Sequence, residues 1–314
     1  MIKLLTVRIQ FYLILERHSM KSSIKYDMLL LCTAIVWGTG FIASKFALSC
    51  GLPASLIITL RMLFAALLLL LIFFKQIKSL SKPHIKHGII AGILMGIGYL
   101  TQTIAMNHTS VSNNAFLTTL NVVFVPFISW IILKKRPSAK TFLSVAVGFL
   151  GIFILTRIYE TKLSFNVGDV LSLICAAVFA CQIAYIGFAA KNVQAGSFSF
   201  VQIVITAAIS LIYFALFESD FAMTATFGFG ILATVYLGVV CTAFGFFLQC
   251  FAQAYVPASR AALILSLEGF TATLISVALG MEPLQPSIII GGLLIMLSIF
   301  ILEFNLKKTK LSTF

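Results

Sequence analysis

The sequence predicts an all-α integral membrane protein whose ten transmembrane helices form two inverted five-helix repeats. Three observations predict it: the solvent that the composition demands, the sidedness of the basic residues, and a match of the chain to itself. Of 314 residues, 61% are hydrophobic and only 10% charged, with thirty Phe and a mean hydropathy of +1.09. Soluble domains carry about 25% charged residues, so a chain this apolar requires lipid around it and is no candidate for disorder. The net charge of +13 would suit a nucleic-acid partner, but so small a charged fraction removes that class. The expected partners are the lipid bilayer and a small-molecule substrate, with no nucleic acid.

Ten windows reach the roughly 20 mostly apolar residues that a bilayer crossing requires. They lie at 27–48, 54–74, 87–106, 111–133, 139–157, 168–190, 196–217, 226–252, 256–279 and 286–304. Barrel strands would alternate in segments of about ten residues, whereas these runs are long and uniformly apolar. Helices are the remaining structure that satisfies every backbone group in lipid. The connections are too short for a soluble catalytic or nucleotide-binding domain, and no GxxxxGKS/T phosphate loop occurs.

The basic residues sort by side. Seventeen fall on one face: Lys3, Arg8, Arg17, Lys21 and Lys25; Lys75, Lys78, Lys82 and Lys86; Lys134, Lys135, Arg136 and Lys140; Lys191; and Lys307, Lys308 and Lys310. Only Arg157 and Lys162 lie opposite, while Lys45, Arg61 and Arg260 fall within spans. The positive-inside rule then makes the protein a multi-pass resident of the cell membrane with both termini cytoplasmic, which requires an even number of spans. Residues 1–26 read as a cytoplasmic segment and 305–314 as a basic tail. The stretch Ile9–Leu15 behind Lys3 has a signal-peptide flavour, but Glu16, Arg17 and His18 follow it without a small-residue cleavage site. A short interfacial helix is one alternative. Translation from Met20 is another, leaving residues 1–19 without a role.

Shifted by 147 positions, Gly98–Leu155 matches Gly245–Leu302, pairing Gln102 with Gln249, Leu120 with Leu267 and Ser129 with Ser276. A shift of 142 pairs Asp27 with Asp169 and Phe46-Ala47 with Phe188-Ala189. Residues 27–157 and 168–304 are therefore two repeats. Five spans each is an odd number, so the second repeat enters from the opposite face. Inverted repeats let two similar halves exchange conformations around one central site, as secondary transporters do.

Trp37-Gly38 in span one, Pro53 and Arg61 around the start of span two, and the five-plus-five repeat resemble the EamA family of the drug/metabolite transporter superfamily over about 27–304. In that family the fourth and ninth spans often carry a Leu-Glu-Pro or Leu-Ser-Pro step, followed by a Gly-Glu pair at the next connection. Here Leu267-Glu268 is followed by Gly269, and Leu120-Asn121 has Pro126 five residues onward. Met281-Glu282-Pro283 matches the second-half Glu, whereas the first half has Lys134-Lys135-Arg136. The resemblance implies ten helices around a central cavity and transport of small polar metabolites by alternating access. The expectation is thus a secondary active transporter, exporting amino acids or related compounds; a passive channel or facilitator is the alternative.

Candidate site residues follow from what lipid penalises. An ionisable side chain at mid-helix costs roughly 2.5 to 3.5 kcal/mol on insertion scales, so it faces a cavity or a partner. Glu268, the deepest acid, is the leading candidate for a coupling proton or cation, with a structural carboxylate as the alternative. Arg61, like Lys45, reads first as snorkelling or tethering helices, and it is the better substrate-ligand candidate of the two because it recurs in the family pattern. Arg260 and Lys45 are expected to snorkel or tether helices, with anion binding the sharper reading of Arg260. Gln102 and Gln249 are polar at equivalent places, as are Asn121 and Glu268, which points to a cavity between spans three, four, eight and nine. Asn114, Thr118 and Asn121 fall at i, i+4 and i+7, one helix face. Trp37, Tyr99 and Tyr185 are candidate aromatic walls. Gly88, Gly92 and Gly96 read as a close-packing face. The six cysteines lack CxxC spacing, and His84 with His87 lacks further ligands. No metal, cofactor or catalytic constellation is expected, so the chain does not read as an enzyme.

Overall fold

The computed structural model describes residues 2–109, 111–134, 136–156, 166–222, 224–280 and 285–303. Every regular element among them is a helix. In chain order these are α1 (Ile2–Ser49), α2 (Ala54–Ile72), the short α3 (Phe74–Lys78), α4 (Lys82–Ala105), α5 (Val111–Thr119), α6 (Asn121–Leu133), α7 (Ala139–Thr156), α8 (Val167–Ala189), α9 (Ala195–Tyr213), α10 (Phe227–Tyr236), α11 (Gly245–Gln253), α12 (Ala258–Leu265), α13 (Leu267–Ala278) and α14 (Pro286–Glu303). Two stretches are wider π turns: Phe214–Glu218 prolongs α9, and Leu237–Phe244 joins α10 to α11.

Seven helical runs are long and apolar enough to cross a membrane: Ile24–Ser49, Ala54–Ile72, Lys82–Ala105, Val167–Ala189, Ala195–Glu218, Phe227–Gln253 and Ala258–Ala278. Three shorter apolar helices accompany them, at Leu117–Ile132, Ala139–Ile154 and Ile289–Ile301. The chain is a multi-pass membrane protein.

Local chemistry sets the ends. Pro53 and Pro257 precede α2 and α12, where a residue without N–H costs no helical hydrogen bond. The Asn166 side chain accepts from the Asp169 N–H at 2.9 Å, and Asp169 accepts in return from the Asn166 N–H at 3.3 Å, a capping box that starts α8. Gly51 follows α1 with φ of 83°, in the left-handed region that only glycine enters freely.

Packing interleaves the two halves. α1 lies against α12, α13 and α11; α8 lies against α5, α6 and α4. Each half's first crossing therefore embraces the other half's third or fourth. α4 and α2 both pack on α9, and α7 pairs with α14. The glycine face of α4 meets α9: a Cβ on Gly92 would lie 2.7 Å from the Gln202 carbonyl oxygen and one on Gly96 3.1 Å from Ile209. Backbones approach closely there, which is how helices associate where water gives no drive.

Contacts between helix ends fix their directions. The Asp27 carboxylate, in the apolar part of α1, pairs with Arg260 at the start of α12. At the other end, Thr224 before α10 donates to the Cys50 carbonyl after α1 at 2.6 Å. Gly168 at the start of α8 abuts the Ala105 carbonyl that ends α4. Ser55 N–H and hydroxyl at the start of α2 donate to Glu218 after α9, at 2.9 and 2.5 Å. The apolar part of α1 and α12 thus start at one end, and α8 starts at the other.

Two of the expected spans are broken. Residues 111–133 form α5 and α6, separated at Leu120, where Val123 N–H bonds the Leu120 carbonyl at 2.9 Å. Residues 256–279 form α12 and α13, separated at Ser266, whose ψ is −15°. Neither break holds a proline. Pro126 lies inside α6, and a Cβ on Gly269 would find only Thr119 Oγ1, at 3.6 Å.

Candidate functional site

A cavity opens at the middle of the bundle, enclosing about 600 Å³ of empty space including the part continuous with the outside. α1 contributes Trp37, Gly40, Phe41 and Ser44; α4 contributes Tyr99, Gln102 and Met106; α8 contributes Phe179, Gln182 and Ile183. Arg61 of α2, Asn121 of α6, Cys241 of the π segment, Phe246 of α11, Leu265 of α12 and Glu268 of α13 complete the wall. Both helix breaks reach it, since Asn121 and Glu268 stand just beyond Leu120 and Ser266. The spans named from the sequence, three, four, eight and nine, all contribute. Spans one, two and six join them, because each half's first helix packs across the other half.

Arg61 is 4% exposed and held in place. Its Nε donates to Thr242 Oγ1 at 2.9 Å, an Nη donates to the Tyr99 hydroxyl at 3.4 Å, and the guanidinium sits 4.5 Å from the Tyr99 ring centroid. The face of an aromatic ring attracts a cation, so Tyr99 holds the guanidinium where no carboxylate among the described residues pairs with it. Trp37 Nε1 donates to the Cys241 carbonyl at 2.8 Å, and the indole lies 5.0 Å from the Phe246 ring. Both anchors use the π segment, whose wider turns bring a carbonyl and a hydroxyl sideways to α1 and α2.

Glu268 is 9% exposed. Among the described residues its carboxyl has neither a hydrogen-bond nor an ion-pair partner. Gly38 allows this wall to close: a Cβ there would lie 2.6 Å from Thr271 Cβ and 2.8 Å from the Glu268 carbonyl oxygen. The cavity therefore holds one cation and one acid among aromatic rings, with Gln102, Gln182 and Asn121 as neutral polar groups.

Six sequence candidates meet at this cavity: Trp37, Arg61, Tyr99, Gln102, Asn121 and Glu268. Four do not line it. Asn114 is fully buried, donating to the Gln102 carbonyl at 3.2 Å and to Ser172 Oγ at 2.9 Å, so it ties α5 to α4 and α8. Thr118, also fully buried, lies beside Cys175 of α8. The single face drawn through 114, 118 and 121 is interrupted at Leu120, which turns Asn121 to the cavity and leaves the other two on α8. Tyr185 bonds His87 Nδ1 at 2.7 Å, away from the cavity. Gln249, on α11, is fully buried.

Arg260 neither snorkels alone nor faces the cavity; it pairs with Asp27, a partner 233 residues distant that sequence spacing does not reveal. Lys45 tethers α1 to the end of α4, donating to the Met106 carbonyl at 2.9 Å. His84 Nε2 accepts from the Gln194 N–H at 3.2 Å, and no cluster able to hold a metal occurs among the described residues. Sequence reasoning missed Ser44, Phe179, Gln182, Phe246 and Thr242. Gln182, an amide in mid-span, carried the signal already applied to Gln102; the phenylalanines were lost among thirty.

The sequence pattern of the EamA-like transporter family matches residues 24–157 and again 166–304. The chain belongs to the EamA-like transporter family. A transporter of Archaeoglobus fulgidus, uncharacterized by its name, is 33% identical over 284 residues, covering 88% of this chain and 85% of its own. The uncharacterized transporter YoaV of Bacillus subtilis is 23% identical over 292 residues, covering 91% and 99%. A solved crystal structure shares the fold at a TM-score of 0.71 with 17% identity, over 88% of this chain and 96% of the other. The family pattern thus matches this EamA-like chain twice in succession.

Proposed function

We propose that this EamA-like protein is a secondary active transporter that exports small polar metabolites, amino acids or related compounds, across the cytoplasmic membrane by alternating access. The seven long and three shorter apolar helices make ten crossings in this reading. Because α8 starts at the end opposite to the apolar part of α1, the two five-helix repeats run inverted. The lysine-rich end, holding Lys75 to Lys86 and Lys191, is then cytoplasmic, together with both termini.

One observation carries the reading: Arg61 and Glu268, both nearly buried, face one central cavity without pairing to each other. A cation and a carboxyl that do not pair with each other are costly in a membrane interior, and a substrate or proton that meets them offsets that cost. Arg61 suits an anionic group, Glu268 a proton or ammonium, and Trp37, Tyr99, Phe179 and Phe246 an apolar portion between them. Gln102 and Asn121 supply neutral hydrogen bonds. A bound ligand stabilises the folded state by mass action. Thermal-shift screening of purified protein against amino acids, nucleosides and cationic drugs should yield a ligand that raises Tm in the wild type and not in Arg61→Ala. A ligand whose shift survives Arg61→Ala and Glu268→Gln alike would place binding elsewhere.

A further inference from the structure

Beside the cavity, where α9 begins and α11 finishes, the second half buries a group of amides that packing alone does not require. Gln182 on α8, Gln202 on α9, and Gln249 and Gln253 on α11 are at most 2% exposed. Two contacts tie their helices together: Gln253 Nε2 of α11 donates to the Ile183 carbonyl of α8 at 3.0 Å, and Gln202 Nε2 of α9 lies 3.2 Å from Cys250 Sγ of α11. Yet Gln182 Nε2, Gln202 Oε1, both side-chain polar atoms of Gln249, and Gln253 Oε1 have no partner among the described residues.

Such atoms are expensive. Five buried polar groups without partners would together cost an amount comparable to the whole stability margin of a domain, so buried amides of this kind are met by ordered water. The arrangement also has a direction. Gln182 lines the cavity, and Gln249 and Gln253 stand one turn apart on one face of α11, toward its end beside the lysine-rich connections. The repeat does not demand this, because the positions equivalent to Gln182 and Gln253 in the first half are Gly40 and Met106. Gln249 has its counterpart in Gln102, but Gln182 and Gln253 have no polar counterpart, so this four-amide group belongs to the second half.

We propose that these amides enclose a file of ordered water joining the central cavity to the lysine-rich end, and that the seam between α8, α9 and α11 is where the cavity communicates with that face. The second clause rests on the transport reading above; the first does not.

Cys250 and Cys175 are both fully buried free thiols, and only Cys250 touches the amides. Pulsed radiolysis of the purified protein in ¹⁸O-labelled water should oxidise Cys250 and spare Cys175. A Cys250 as inert as Cys175 would overturn the water file. In a dry seam, Gln249→Leu removes two unmet polar atoms and raises Tm; a hydrated seam predicts that Tm does not rise. For the communication clause, Gln253→Cys in oriented vesicles should react with a small impermeant thiol reagent from the lysine-rich face alone, at a rate that substrate alters. Reaction from neither face, or from the opposite one, would overturn it. Wild-type protein that oxidises at Cys250 yet shows no substrate counterflow would keep the water file and remove the transport reading.

Discussion

Arg61 is anchored by a hydroxyl and an aromatic face rather than by a carboxylate, which leaves its charge available to the cavity. Lysine keeps the charge but cannot stack its plane on Tyr99 while reaching Thr242, so Arg61→Lys is not conservative here. Ligand affinity should fall by about tenfold or more, corresponding to about 1.4 kcal/mol, in a binding titration; unchanged affinity would contradict the role assigned to the guanidinium. Glu268 is the complementary case. Glu268→Gln preserves shape and polarity while removing the exchangeable proton, and should abolish the dependence of uptake on a pH gradient in proteoliposomes; full retention of that dependence would remove the proton site. Both residues were legible in the sequence because lipid makes an ionisable group conspicuous. Tyr185 was misplaced because an aromatic ring carries no such mark: its hydroxyl serves His87 instead.

Among the elements, the apolar windows could be read directly, whereas the departures from α geometry could not. The breaks at Leu120 and Ser266 contain no helix breaker, and the π segment Leu237–Phe244 is as apolar as its flanks. The π segment has tertiary partners: Trp37 claims the Cys241 carbonyl and Arg61 the Thr242 hydroxyl, partners 204 and 181 residues away. Deleting Val239 should let the segment regularise, rotating Cys241 and Thr242 out of reach of both. Each lost interhelical hydrogen bond costs about 0.6 kcal/mol on average, so the expected outcome is a modest fall in Tm with a large loss of ligand binding. A deletion variant that binds as the wild type does would show that the π segment is not needed to shape the site.

At the level of the whole molecule, the halves are joined across both ends. Asp27 meets Arg260 at one, and Thr109 donates to Asp169 at 2.9 Å at the other. Asp27 and Asp169 are repeat equivalents, so the same position holds the halves together at opposite ends with different partners. Asp27→Asn should lower stability by less than the about 3 to 5 kcal/mol of a fully buried pair, because the Arg260 side chain remains 22% exposed. Joint exchange, Asp27→Arg with Arg260→Asp, should recover part of the loss in thermal unfolding; additive losses would argue against a direct pair. The proposed repeat and its proposed sidedness rest on an offset and a count of basic residues, while the interleaving of helices from different halves was not legible in the sequence, since it depends on contacts far apart in the chain. In the proposed transport cycle, one cavity serves the two faces in turn. Substrate counterflow in proteoliposomes measures that most directly: with unlabelled substrate inside, uptake of labelled substrate should saturate and be accelerated. Unsaturable flux indifferent to internal substrate, or conductance far above the turnover of a carrier, would contradict it.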